Sequence, residues 1–188
     1  MEYELKTPVD KAELKKLRAG DIVYLTGQVY TARDAAHKKM MDCLDRGEEL
    51  PFSLPGSAIY YVGPTPEAPG QVIGSAGPTT SGRMDAYSPR LLALGQPLMI
   101  GKGQRGPEVI AAMVKYGAVY LAAMGGAGAL MSSCIKECSV VCWEELGCEA
   151  VRRLYVERMP LTVAIDSLGG NLYETGPAAY LESLKGGE

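Results

Sequence analysis

The sequence predicts one α/β domain, residues 1–188, with parallel and antiparallel strands mixed in one fold. Three observations carry that reading. From Ser81 onward, short apolar runs such as "PLMIG", "AVYLAAMGG" and "LTVAID" alternate with helical patterns, the rhythm of strands crossed by helices. Near the N-terminus, "DIVYLTGQVYT" alternates in polarity and is rich in β-branched residues, which marks a strand. Finally, 188 residues suffice for one well-cored domain and are too few for two, and no repeat, heptad or compositional break divides them.

The elements follow in order. Asp10 is placed to cap a first helix, "KAELKKLRA", with Gly20 ending it. After the strand "DIVYLTGQVYT", Thr31 starts a second helix, Asp34 serves as an acidic capping-box partner, and Gly47 closes it. Between Pro51 and Thr80, prolines and glycines surround two short apolar runs, "SAIYYVG" and "QVIGSAG", which read as strands ending in wide loops. Ser88 and Pro89 make an N-cap and first-turn pair, and Pro107 opens the helix "EVIAAMVKYG". "ECSVVCW", "LYVERM" and "LTVAID" supply further strands, and the tail beyond Tyr173 carries no pattern.

Composition narrows the function. A net charge of -3 without a long basic run excludes a phosphate-backbone tracker, so nucleic acid is not an expected partner. No apolar stretch approaches the ~20 residues that span a bilayer, and "MEYELKTPVD" lacks the order of a secretory signal. A soluble cytoplasmic protein without membrane contact is expected. Five cysteines, an odd number, fit reduced thiols better than a disulfide framework.

Four stretches could carry chemistry. In "TARDAAH", Arg33 and the chain's single histidine, His37, are i and i+4 on one helix face. From spacing alone, a solvated helix with a histidine on its rim accounts for them better than a site does. In "GSAGPTTSGRMD", Thr79, Thr80 and Ser81 present hydroxyls beside glycine-freed backbone, Gly82 included, and Arg83 adds a planar fork suited to a carboxylate or phosphate. Anion binding explains that stretch slightly better than a polar turn. In "IGKGQRGPEV", Gly101, Gly103 and Gly106 match a dinucleotide fingerprint, but no Asp or Glu lies between Glu108 and Glu137 to hold a ribose. A nicotinamide cofactor is therefore disfavoured, whereas Lys102 and Arg105 would suit a smaller anion. Asp166, after an apolar strand and before a Gly-Gly-Asn turn, is explained as a turn cap.

Cys134, Cys138, Cys142 and Cys148 invite a metal-cluster reading. On a strand, however, Cys138 and Cys142 would point the same way and stand roughly 13 Å apart, too far to share one metal, so structural thiols are expected and no metal is assigned to this chain.

Taken in order, "GDIVYLTGQVYTARDAAH", "GPTTSGRMD", "MIGKGQRGPEV" and "TVAIDSLGGNLYE" closely resemble the β subunit of two-subunit, iron–sulfur class I fumarases. The same unit forms the C-terminal domain of single-chain members and is shared with L-tartrate dehydratase. The resemblance covers nearly the whole chain. It implies a swivelling β/β/α fold and a hydro-lyase active only with a separate α subunit, in an α2β2-type assembly, that carries the 4Fe-4S cluster. It also implies that Arg33, Arg83 and Lys102 bind the carboxylates of a small dicarboxylate, that Thr79 and His37 are the proton-handling candidates, and that Asp34, Thr80 and Gly82 support them. The cysteines of this chain depart from the family pattern. Small Ala32, Ala35, Ala36 and Gly82 lean toward fumarate over tartrate. A stand-alone anion- or nucleotide-binding module and a purely structural subunit are the readings from other classes.

Overall fold

The computed structural model describes residues 1–185. Strand β2 (Ile22–Thr31) is its spine. One edge of β2 pairs in parallel with β1 (Glu2–Lys6) along its first half and with β3 (Ala58–Tyr60) at its end. The other edge pairs antiparallel with β7 (Val151–Ile165). Strands β3, β4 (Leu98–Gly101) and β5 (Val119–Ala122) run parallel to one another, and β5 pairs antiparallel with the second half of β7. Because β7 reaches both β5 and β2, the strands β2-β3-β4-β5-β7 close on themselves. Strand β6 (Ile135–Cys142) extends β7's first half as an antiparallel hairpin.

Closure explains how alternation divides the side chains between two cores. Val23, Leu25 and Val29 of β2, Ala58 and Tyr60 of β3, Leu98 and Ile100 of β4, and Val119 and Leu121 of β5 fill one cluster. The intervening Ile59, Met99 and Tyr120 face the other way, against α2 (Asp34–Asp45), α3 (Ser88–Ala93) and α4 (Pro107–Tyr116). In β7 the phase slips by one: Leu25 and Gly27 of β2 stand opposite Met159 and Val156, so three steps of β7 match two of β2. Arg158, with φ 46° in the left-handed region, is where the bulge forms. That slip makes "LYVERM" and "LTVAID" look like two strands when they are one.

Other expectations also shift. The first helix, α1, is a single turn, Lys11–Leu14, capped by Asp10 Oδ1 on the Ala12 N–H at 2.8 Å. Gly20 does not end it, because its N–H donates to the Val163 carbonyl at 2.8 Å. Thr31 belongs to β2, not to the helix: its buried hydroxyl donates to the Ala150 carbonyl (3.2 Å) and accepts from the Arg152 N–H (2.9 Å). "QVIGSAG" forms no strand; its loop is closed by the Thr65 hydroxyl on the Ser75 N–H at 2.8 Å. A short helix α5 (Gly128–Ser133) and a terminal helix α6 (Leu172–Lys185) add to the elements read from sequence. None of the helices among the described residues is long and apolar enough to cross a membrane.

Candidate active site

Strands β2, β3, β4 and β5 all run the same way, so their C-terminal ends open on one rim, where parallel α/β sheets place ligands. Three segments leave that rim with the predicted side chains. After β2, Arg33 takes an extended backbone as the N-cap residue of α2, and Asp34 is the first helical residue. Beyond β3, the chain loops out and returns at Thr79. There the Thr79 N–H donates to the Tyr61 carbonyl (2.8 Å), the Lys102 N–H to the Thr79 carbonyl (3.3 Å) and the Ser81 N–H to the Lys102 carbonyl (2.9 Å). Residues 79–81 are thus wedged between the ends of β3 and β4, which fixes the half-buried Thr79 and the exposed Thr80 against Lys102. A 3-10 turn, Ser81–Met84, then lifts Arg83 into solvent.

Arg83 and Arg33 meet through Asp34. Arg83 Nε donates to Asp34 Oδ1 at 2.8 Å, and Arg33 Nη2 lies 3.8 Å from Asp34 Oδ2. The Arg33 side chain rests against Gly63: a Cβ at that glycine would stand 2.8 Å from Nη1 and 3.0 Å from Cδ, so a larger residue there would displace the guanidinium. Gly101 has a similar reason, since its Cβ would lie 2.0 Å from Ser81 Oγ. Gly82 does not, its Cβ falling at an ordinary 3.7 Å from the Gln104 carbonyl.

Beneath the rim lies a buried polar layer. The side chain of Arg105, which the sequence grouped with Lys102 as an anion ligand, is fully buried: Nε donates to Asp85 Oδ1 (2.7 Å), Nη2 to Ser88 Oγ (2.6 Å), and the guanidinium packs 5.4 and 5.3 Å from the Tyr61 and Tyr120 ring centres. Burial works against its charge, but Tyr61 and Asp85 outweigh burial and hold its pKa above the ordinary arginine range. Asp85 Oδ2 also accepts the Gly106 N–H at 2.6 Å. The start of α4, where a dinucleotide's pyrophosphate would sit, is therefore already taken by a carboxylate of this chain. Tyr120 completes the layer, its hydroxyl donating to the Gly103 carbonyl (2.9 Å) and lying 2.9 Å from Ser81 Oγ.

His37 belongs to this layer, not to an exposed rim. It is fully buried, 5.4 Å from the Tyr61 ring and 5.8 Å from Tyr87, with Nδ1 2.9 Å from the Arg33 carbonyl and Nε2 unpartnered. Burial pushes its pKa down to about 4, the hydrogen bond to the Arg33 carbonyl resists, and the Arg105 charge adds to the fall. The imidazole is neutral at pH 7, and the Nδ1–H tautomer is the one that satisfies the carbonyl.

Sequence reading missed Glu149. It closes the 3-10 segment Glu144–Glu149 between β6 and β7 and supplies what Thr31 was expected to supply: its Oε2 accepts the Ala35 N–H at 2.9 Å, capping α2 from another part of the chain. Its Oε1 lies 3.4 Å from Arg33 Nη2. Only an acidic stretch before a strand, "CWEELGCEA", hinted at it. Asp166 behaves as expected, accepting the Leu168 and Gly170 N–H groups at 2.9 and 3.0 Å.

The cysteines separate. A register shift between Val140 and Cys142 turns Cys142 onto the helix-covered core, while Cys134 and Cys138 pack on the other. Cys138 and Cys142 therefore do not point the same way. Among the described residues no three His, Cys, Asp or Glu side chains converge as metal ligands, so these residues do not fit an iron–sulfur cluster.

Parallel strand ends carrying Arg33, Arg83 and Lys102 at one rim, over a buried ionic layer, define a mixed α/β domain with a cationic rim. The chain belongs to the Fumarase C-terminus family, whose pattern it matches over residues 1–176. It is 43% identical to a Methanocaldococcus jannaschii protein provisionally named L(+)-tartrate dehydratase subunit beta, over 98% of this chain and 97% of that one. It is 37% identical to fumarate hydratase 2 of Leishmania major over 92% of this chain, and 35% identical to the anaerobic class I fumarate hydratase of Escherichia coli (strain K12) over 93%. Those matches span only 31% and 32% of the fumarate hydratases' own lengths.

Proposed function

We propose that this chain is, as a single domain, the β subunit of a cytoplasmic two-subunit hydro-lyase that reversibly hydrates fumarate to (S)-malate. Its partner is an α subunit carrying the 4Fe-4S cluster, in an α2β2-type assembly. The observation that supports this reading is that one rim carries both the Asp34-linked pair Arg33 and Arg83 and the wedged 79–81 segment, which holds Thr79 backbone to backbone with Lys102. Removing a proton beside a carboxylate gives that carboxylate a second negative charge, on a substrate whose other carboxylate is charged as well. Fixed cations in place before the reaction stabilise that charge without reorganising.

Arg33 and Arg83 serve as forks for the carboxylates and Lys102 as a point charge. Thr79 is the proton-transfer group: its backbone is pinned on both sides, and a cation brought to its hydroxyl in the complex would favour the alkoxide that an ordinary hydroxyl resists at neutral pH. His37 acts from below, holding the Arg33 carbonyl and so the start of α2. Thr80 sets the register with Lys102, Gly82 sits in the turn that presents Arg83, and Asp34 joins the two arginines.

Anaerobic co-purification with the cluster-bearing subunit, then assays on fumarate, malate and tartrate, tests the reading. Fumarate–malate interconversion by the complex, and by neither chain alone, is the expected result; a complex inactive on all three diacids would sink it. The full-length match to the M. jannaschii protein favours L-tartrate dehydration as the second reading. Faster turnover of tartrate than of malate would select it.

A further inference from the structure

We infer that Glu149 is a positioning residue for substrate: it aims Arg33 at the rim from behind. The inference rests on the reading of Arg33 as a carboxylate ligand and goes beyond it by assigning what sets the ligand's direction. Arg33 stands at a chain turn where its own side chain makes no helix cap. Two charged partners flank it. Asp34, next in sequence, lies 3.8 Å from Nη2 and is already engaged by Arg83 at 2.8 Å. Glu149 lies closer, at 3.4 Å, with its side chain 21% exposed, and its other oxygen is anchored on the Ala35 N–H. A carboxylate held by a helix N-terminus is a fixed charge, so the guanidinium orients on it instead of swinging to Asp34.

The backbone around Glu149 reinforces that fixity. The Cys148 carbonyl lies 3.3 Å from the Cβ position of Gly63, the glycine on which Arg33 rests, so the segment before Glu149 closes over the same spot. At its other end, Glu145 forms an ion pair with Lys39 on α2. The β6–β7 connection therefore grips α2 at two places on either side of His37, and Glu149 is the grip that touches a substrate ligand.

Capping and aiming are separable. In Glu149→Gln the amide oxygen still accepts the Ala35 N–H, while the charge facing Arg33 is gone. In the reconstituted complex we expect KM for the diacid to rise by up to about ten-fold, the effect of losing the half-buried ion pair that aims Arg33, with kcat changed less than about two-fold. The melting temperature should stay within about 2 °C of the parent, whereas Glu149→Ala, which removes the cap too, should fall by several degrees. In an Arg33→Ala background, Glu149→Gln should add less than about two-fold to KM. An unchanged or lowered KM in Glu149→Gln, or the same rise with Arg33 absent, overturns the inference. If Arg33→Ala alone leaves KM unchanged, the reading of Arg33 fails first and takes this inference with it.

Discussion

Two arginine–aspartate pairs, alike in chemistry, lie on the two sides of this site. Arg83 Nε meets Asp34 Oδ1 at 2.8 Å on the rim, and Arg105 Nε meets Asp85 Oδ1 at 2.7 Å beneath it. The Arg83 side chain is 49% exposed and that of Arg105 is 0%. Exposure alone separates their uses. Water competes for the upper pair, so it is worth little to the fold; in the proposed function its arginine exchanges a carboxylate of the chain for one of the substrate. In the lower pair the guanidinium has left water, while Asp85 keeps a partly exposed edge, and the pair holds the 82–85 turn to the 101–106 loop, the carriers of Arg83 and Lys102.

The largest effect should come from breaking the lower pair. Arg105→Met leaves Asp85 without its charge partner and Ser88 without its donor, and should cost about 3–5 kcal/mol of stability in urea denaturation. Asp85 is 23% exposed and keeps the Gly106 N–H, which places the expected loss at the lower end. A loss under about 1 kcal/mol would show that the two pairs do not differ as claimed.

Arg105 also acts on His37, so pH probes the buried layer. The folded pKa of His37 is depressed to about 4, against about 6.5 in the unfolded chain. The unfolded state therefore binds the extra proton first. Stability is full above about pH 6.5 and is lost as pH falls toward 4, by about 3 kcal/mol in total. Melting curves of the parent and of His37→Asn across that window check the sign, because the difference should shrink with acid. As the chain holds one histidine, its single imidazole resonance should titrate near pH 4. A titration near 6.5 would mean that the ring is not buried.

On the rim, Arg83→Gln should reverse the pattern. Stability should change by less than about 1 kcal/mol. In the complex, kcat/KM should fall about a hundred-fold, close to 2.7 kcal/mol of transition-state stabilisation. Activity within two-fold of the parent would leave Arg83 a solvated charge.

Which of these residues the sequence discloses follows from the range of the forces that place them. Motifs set by local backbone were legible: β2, β4 and α4, the Asp166 turn, and the segments bearing Arg33, Thr79, Arg83 and Lys102. The position of His37 was not, because helical spacing gives a face but not what covers it, and Tyr61 and Tyr87 arrive from later segments. Lys102 and Arg105, neighbours in one loop, went opposite ways for the same reason: Asp85 and two tyrosines waited below only one of them. Glu149 was invisible because its partners lie more than a hundred residues away. Strand phase failed at two register shifts, at Arg158 in β7 and between Val140 and Cys142 in β6.

The smallest effect is the most discriminating. Asp34→Asn keeps the shape of the rim and removes the charge between Arg33 and Arg83. With Asp34 about one-third exposed, the loss in stability should be about 0.5 kcal/mol at low ionic strength. At 1 M salt the screening length falls to about 3 Å, and the difference should vanish within error. The same salt should leave the deficit of Arg105→Met in place, because ions do not enter the layer where that guanidinium sits. Urea denaturation of both variants at the two ionic strengths therefore tests the contrast directly. If both deficits fade with salt, Arg105 is reached by solvent; if neither does, Asp34 is a structural residue and Arg83 is not free to change partners.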